Sequence, residues 1–327
     1  MPTVIDVAQE AGVSTATVSR VLNNSRSVSE ETCRRVKAAI AKLDYTPNMG
    51  SRNLRRKESR VILVMLPDIG TFYGGILAGI DIRARQAGYN PLITATNRNP
   101  VHERELTRML DQRLADGVIC MTPTLPSREM AALNERFPVI QCCEYYENAG
   151  LSHVSIDNYT ATYQAASYFV RTGHTRIGMI SSTNAYISTR LREKAYRQAL
   201  EDNGLPFRPE YLRQGTYSFE SGYEHAQVLL HLDEPPTAIL CICDSVAAGC
   251  ISAAIRASMR VPEDVSVMGF DNINIAKMLQ PSLSTVAQPL RRLGATAVEL
   301  FLERISGRRE PVEIFLPHEL VIRNSTR

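Results

Sequence analysis

The sequence predicts an α/β protein in two parts, a small N-terminal bundle of three helices and a larger core with two similar lobes of parallel sheet. Two patterns carry this expectation. From Thr3 to Asn23, TVIDVAQEAGVSTATVSRVLN, apolar residues recur at helical spacing on both sides of a single glycine, which is the mark of a helix-turn-helix. From Arg60 onward, short apolar runs alternate with longer amphipathic stretches. Continuous apolar strands separated by helices pack as parallel sheets covered on both faces. With 327 residues, 44% of them hydrophobic, the chain can bury more than one core.

The first helix opens on Thr3, with Asp6 three residues on as a capping-box partner, and buries Val4, Val7, Ala8 and Ala11. Gly12 stands where the turn needs a positive φ. Val13 plugs the turn, and Ser14 caps the second helix, whose buried stripe is Val18, Val21 and Leu22. Ala8 is small enough to let the two helices cross closely. Thr15, Ala16, Thr17, Ser19 and Arg20 are left on the outer face, as a recognition helix requires. Arg20 alone there has the forked donor that suits guanine O6 and N7. In the third helix Ser29 is the cap, Glu30 and Glu31 favour the N-terminal dipole, Val36, Ile40 and Leu43 close the core, and Pro47 marks the end. A basic run, SRNLRRKESR, follows from Ser51 to Arg60. Residues 1–60 hold eleven Lys and Arg against six Asp and Glu, so the remaining 267 residues hold 26 against 28. The positive charge is concentrated where phosphate neutralisation would need it.

Beyond Arg60 the expected strands are Val61–Leu66, Pro91–Thr96, Gly117–Thr122, Val139–Cys143, Val154–Ile156, Ile177–Ser181, Ala238–Cys243 and Val265–Phe270. Helical patterns fall at Pro100–Leu114, Tyr159–Thr172, Arg190–Asn203, Ser218–Leu230 and Ser245–Ala257. Ligands of such sheets bind outside the carboxyl ends of the strands. Phe72 and Tyr73 follow the first strand, Asp157 and Asn158 another, Asp244 a third, and Asp271 and Asn272 a fourth, with Arg192 in the first turns of a helix beginning near Ile187. Carboxylates and an arginine beside aromatic rings suit a polyhydroxylated ligand. Asp157 and Asp244 serve equally well as helix caps, whereas Asp271 and Arg192 are the favoured ligand contacts.

Several classes are set aside. Residues 1–20 carry acids and polar side chains rather than a signal peptide's apolar run, and no window has the eighteen or so consecutive apolar residues of a membrane span. GxxxxGK[ST], GxGxxG and GxSxG are all absent, which argues against an enzyme. The seven cysteines form no CxxC pair and read as small buried hydrophobes of a reducing cytoplasm. The six histidines lack metal-ligand spacing, and His174 after Gly173 reads as part of a helix-ending turn. No metal and no cofactor is expected.

The motifs DVAxxAGVSxxTVSRVLN, SEETxxRV and YTPN are followed by IDN, TGHTRIG, PPTAILC, VPEDVSVMGFDN, LSTVAQP and ELVIRNSTR. In this order they resemble the lactose-repressor (LacI/GalR) family of transcription regulators along nearly the whole chain. RNLRRKESRVILVMLPDI, GTYSFESG and FDNINIA lean towards its cytidine- and purine-repressor branch. The resemblance implies a cytoplasmic homodimer on a pseudo-palindromic operator, most simply a repressor whose DNA affinity is changed by a small effector, a sugar, sugar phosphate or nucleoside. It implies a helix-turn-helix domain over 1–46, a hinge helix within 47–59, and a periplasmic-binding-protein-like core over 60–327. The core's first lobe would span 60–157 and 289–319, its second 158–288 and 320–327.

By the same resemblance Thr15, Ala16 and Arg20 read bases, while Ser14, Thr17 and Asn23 touch the DNA backbone. Leu54 is the hinge leucine that wedges into the minor groove, flanked by Arg52 and Arg55. Gly50 costs such a helix roughly 1 kcal/mol against alanine, so residues 48–56 are expected to order only on DNA. Asp271 and Arg192 match paired effector binders, Tyr217 a stacking aromatic and Tyr186 a further polar contact. The chain departs from the family in three places. The loop after the first strand is one residue shorter, which leaves the register of Phe72 and Tyr73 open. Cys243 stands where sugar-binding relatives carry asparagine, and Ala16 is small, shifting operator reading onto Arg20 and DNA shape. The alternatives are a periplasmic-type solute-binding protein, which would share only the core, and a corepressor-dependent regulator of the purine type.

Overall fold

A computed structural model describes residues 2–22, 27–45 and 58–327. It divides into two compact units, Met1–Ser59 and Arg60–Arg327. Asn23, Pro47, Arg52, Leu54, Arg55 and the expected hinge helix lie outside the described residues.

The first unit holds α1 (Val4–Glu10), α2 (Thr15–Leu22) and α3 (Glu30–Lys42). Thr3 and Asp6 form a reciprocal capping box, the Asp6 carboxylate accepting from the Thr3 amide at 2.7 Å. Gly12 takes φ +62°, and the Val13 amide donates back to the Ala8 carbonyl at 2.9 Å, which fixes the turn. Ser14 Oγ accepts from the Thr17 amide at 3.1 Å, and Ser29 caps α3 through Thr32. Val7, Ala8, Ala11, Val18, Val21, Val36 and Ala39 form the buried core, with Ile40, Leu43 and Leu22 packed around it. Helices of seven, eight and thirteen residues are marginal in water by themselves. Burial of side chains such as Val7, Val18 and Val36, at roughly 1.5–3 kcal/mol each, holds them together.

The second unit contains two six-stranded sheets. The first is made of β1 (Val61–Leu66), β2 (Asn90–Ala95), β3 (Gly117–Cys120), β4 (Val139–Cys142), β5 (Ser152–Ile156) and β11 (Glu313–Leu316), in the order β11-β5-β4-β3-β1-β2 and parallel throughout. Its helices are α4 (Thr71–Gln86), α5 (Pro100–Asp111), α6 (Ser127–Arg136) and α12 (Leu290–Ile305). The second sheet is made of β6 (Ile177–Ser182), β7 (Leu212–Gly215), β8 (Ala238–Cys241), β9 (Ser266–Asp271), β10 (Ser284–Ala287) and β12 (Glu319–Val321), in the order β12-β10-β9-β8-β6-β7. Its helices are α7 (Asn158–Arg171), α8 (Ile187–Asp202), α9 (Phe219–Leu230), α10 (Asp244–Arg256) and the short α11 (Ile275–Met278). The chain passes between the sheets three times, after β5, after β10 and after β11.

Two features depart from the sequence expectation. β12 runs antiparallel to β10, and four strands (β7, β10, β11, β12) fall outside the expected set. Three or four residues long, they are too short to show a period, although β10 is buried up to Ala287. Helices α4, α6, α11 and α12 were likewise not among the expected segments. α4 and α12 touch backbone to backbone: a Cβ on Gly79 would sit 2.0 Å from the Arg291 carbonyl oxygen, and one on Gly294 would sit 2.0 Å from that of Ile76. Of the cysteines, Cys33 and Cys143 are only partly buried, so not all seven are core hydrophobes. His174 does close a helix, its amide returning to the Phe169 carbonyl after Gly173 at φ +89°. Among the described residues no helix is long and apolar enough to cross a membrane.

Candidate functional site

On the first unit, the capping of α2 decides which side chains face outward. Thr15, Ala16 and Arg20 are exposed, while Ser14 and Thr17 are joined through their hydroxyls at 2.9 Å. Thr17 and Ser19 are half-buried, so the outer face is narrower than the helical pattern suggests. Arg35 was not singled out from the sequence. Its Nη2 donates to the carbonyls of Ala11 at 2.6 Å and Gly12 at 3.2 Å, closing the C-terminus of α1 from α3. Lys42 pairs with Glu10 at 2.7 Å.

On the second unit, the carboxyl ends of both sheets face one cavity of about 150 Å³. All six of the expected effector residues line it: Phe72, Tyr73, Tyr186, Arg192, Tyr217 and Asp271. Phe72 and Tyr73 reach it because they belong to the first turn of α4, where their rings meet edge to face with centroids 5.1 Å apart. The shorter loop therefore does not remove them. Burial pushes the Tyr73 phenol well up, keeping it neutral beside Thr122.

The floor is built around Arg192. Its Nε donates to Asn158 Oδ1 at 2.9 Å and its Nη1 to the Ile242 carbonyl at 2.6 Å, while its guanidinium carbon stands 3.5 Å from the centre of the Phe270 ring. A buried cation is tolerated when its donors are used and an aromatic face lies beneath it. Asp271 ends β9 with φ +104° and accepts from Gln288 Nε2 at 2.7 Å. Burial raises its carboxyl to about 7, against the pull of Arg192 and the Gln288 hydrogen bond.

Polar contacts also cross between the lobes. Glu144, just past β4, accepts from the Ser188 amide at 3.2 Å and from its hydroxyl at 2.5 Å, both at the start of α8. Burial raises the Glu144 carboxyl, and these two donors oppose the rise. Arg190 pairs with Glu147 at 2.9 Å. Arg98 pairs with Asp68 at 2.5 Å and hydrogen-bonds Tyr186.

The other strand-end residues separate. Asp157 caps α7 through the Thr160 amide at 2.9 Å and stays outside the cavity, whereas its neighbour Asn158 lines it. Asp244 neither caps α10, which starts at it, nor lines the cavity. Cys243 and Cys143 do line it, and burial together with the Asp271 charge pushes the Cys243 thiol up to about 12. Both are therefore neutral thiols. Asp68, Arg98, Glu144, Ser188 and Gln288 were missed from the sequence. The position of Asp68 and Glu144 directly past a strand was the available signal; Gln288 follows a strand that the sequence did not reveal. Among the described residues no cluster of His, Cys, Asp or Glu could hold a metal ion.

Residues 3–48 match the family of bacterial regulatory proteins, lacI family, and residues 166–326 match the periplasmic binding protein-like domain. The chain is 37% identical over 330 residues to the HTH-type transcriptional repressor CytR of Escherichia coli (strain K12), covering 99% of this chain and 96% of that one. It is 36% identical over 330 residues to the HTH-type transcriptional regulator DegA of Bacillus subtilis (strain 168), covering 99% and 98%. The fold is similar to the lac repressor dimer bound to operator and the anti-inducer ONPF, with a TM-score of 0.89, 28% identity and 99% of each chain covered. The chain belongs to the lacI family of bacterial regulatory proteins, DNA-binding transcriptional repressors that answer to small-molecule effectors.

Proposed function

We propose that the cavity between the lobes is the effector site and that its ligand is a neutral nucleoside, which changes the affinity of a homodimer for a pseudo-palindromic operator. The observation that carries this is the pinned pair at the floor, Arg192 over Phe270 with Asp271 beside it, under four aromatic side chains, Phe72, Tyr73, Tyr186 and Tyr217. A carboxylate and a guanidinium fork suit ribose hydroxyls, and a planar base suits the rings. Sugar phosphates fit poorly. Asp68 already neutralises Arg98, and the three acids Asp68, Glu144 and Asp271 outnumber the two lining arginines. A phosphate would enter a lining with no net positive charge to receive it.

For DNA, Thr15, Ala16 and Arg20 are the base readers and Ser14, Thr17 and Asn23 the backbone contacts, with Leu54 as minor-groove wedge between Arg52 and Arg55. The domains are 1–46, 47–59 and 60–327. The chain works in the cytoplasm as a regulator without catalytic chemistry. In a thermal-shift series with uridine, adenosine, ribose and ribose 5-phosphate, a nucleoside should raise the melting temperature most, since a ligand of the native state stabilises it by mass action. A larger shift with the phosphate would overturn the neutral-ligand reading. Arg20→Ala should cost roughly 1–3 kcal/mol at one symmetric operator position. Unchanged base preference at every position, measured by competition binding, would remove Arg20 from the base readers.

A further inference from the structure

Asp244 is fully buried, and neither the cavity nor its own helix makes use of it. Its two oxygens have separate partners. Oδ1 accepts from the Thr285 hydroxyl at 2.6 Å on β10, and Oδ2 accepts from the Ile273 amide at 2.8 Å in the turn after β9. Among the described residues it forms no ion pair; burial and the neighbouring Asp271 charge raise its carboxyl to about 8. β9 comes very close to it, for a Cβ on Gly269 would lie 2.4 Å from Asp244 Oδ1.

The turn that Asp244 grips is an unusual one. Asp271 and Asn272 are consecutive non-glycine residues with φ +104° and +57°. Such backbone persists only where its surroundings over-determine it. Asn272 is held from the opposite side, its Oδ1 accepting from Arg323 Nη2 at 2.8 Å while Arg323 Nη1 donates to the Leu283 carbonyl at 2.6 Å. The Ile273 amide is the first backbone donor past the strained pair, and its acceptor is Asp244. Ile273 and Asp271 both line the cavity.

We propose that Asp244 is a positioning residue for the effector site, its buried carboxyl group clamping the left-handed turn that aims Asp271 at the ligand's hydroxyls. This rests on the reading of Asp271 as a hydroxyl binder. The clamp accounts for an acid at the head of α10 that caps nothing. An alanine at 244 would leave the Ile273 amide without its acceptor, so the turn would relax away from its strained φ values. An asparagine, donating to the Thr285 hydroxyl and accepting from the Ile273 amide, would keep the clamp.

The test uses the full chain and the variants Asp244→Ala, Asp244→Asn, Thr285→Val and Asp271→Asn. Without ligand, amide exchange of 271–275 should speed up at least tenfold in Asp244→Ala and less in Thr285→Val, and stay near the wild-type rate in Asp244→Asn, with β8 and α7 unchanged. Titration calorimetry with uridine, adenosine and their 2′,3′-dideoxy analogues supplies the second readout. The wild type should prefer the ribonucleoside, and Asp244→Ala should lose that preference about as fully as Asp271→Asn does, while Asp244→Asn keeps it. A uniform loss of affinity that keeps the preference, or faster exchange throughout the lobe, would mean a structural role and overturn the proposal. Wild-type exchange at 271–275 in Asp244→Ala would do the same. Should Asp271→Asn keep the hydroxyl preference, the reading of Asp271 fails, while the exchange data still decide whether Asp244 holds the turn. Thr285→Val carries the test if Asp244→Ala does not fold.

Discussion

Asp271 ties the chemistry of the site to pH. Its folded carboxyl titrates at about 7 and that of Asp244 at about 8, both above the ordinary 3.8 because burial disfavours the charged form. The ionised form accepts ligand hydroxyls on both oxygens and more strongly than the acid does, so nucleoside binding should strengthen as pH rises through about 7, read as a larger thermal shift at pH 8 than at pH 6. The ligand-free core should behave in the opposite way. With folded values raised above the unfolded ones, the stability these groups contribute is present below about 3.8 and lost as pH rises through about 7 and 8. Urea melts across that range should show the decline. Arg192 has a double role. Because it holds the Ile242 carbonyl and Asn158, Arg192→Ala leaves buried acceptors unpaired and should cost roughly 2–3 kcal/mol in urea denaturation. It will lose ligand response partly through the fold. Asp271→Asn, which disturbs the hydrogen bond from Gln288, separates binding from stability better.

At the scale of elements, the sequence was most legible where local chemistry decides. Thr3, Gly12, Ser14 and Ser29 each act through residues three to five positions away, so the helix-turn-helix could be read directly. The strand Val61–Leu66 has five of its six residues buried, and an unbroken apolar run of this kind needs no partner to be recognised. α4 was illegible because Gly75 and Gly79 make room for Leu290 and Arg291 of α12, more than 210 residues further on, rather than for a local turn. Gly294→Ala would push a methyl group to 2.0 Å from the Ile76 carbonyl oxygen. Overpacking a backbone-to-backbone crossing should cost about 3 kcal/mol, measured by urea denaturation of the full chain, and Gly79→Ala should do likewise.

For the molecule as a whole, the charge distribution separates output from input. Residues 1–60 carry the net positive charge and the remainder is slightly acidic. Operator affinity should therefore fall steeply with salt, roughly 10³-fold or more between 50 and 200 mM if six or more phosphates are neutralised per dimer, in a filter-binding titration. Nucleoside affinity for the cavity, governed by hydrogen bonds and stacking, should change little over the same range. Coupling between the sites requires the effector to bind two states differently. The bonds from Glu144 to Ser188 and from Glu147 to Arg190 are contacts that depend on how the two lobes face each other, and so distinguish such states.

The sequence by itself determined the helix-turn-helix, the alternation of strands and helices, and the residues that meet at one cavity, Phe72, Tyr73 and Asp271 past strand ends and Arg192 in the first turns of a helix. Each of these depends on spacing along a few turns or on a strand's end, and spacing is written in the chain. Only the tertiary structure decided that Arg192 would be pinned by Asn158 and a carbonyl, that Glu144 would reach the start of α8, and that Asp244 would grip a turn 29 residues away. The physical reason is common to all three. Buried polar groups must find hydrogen-bond partners, and which ones they find depends on how strands distant in sequence are brought side by side.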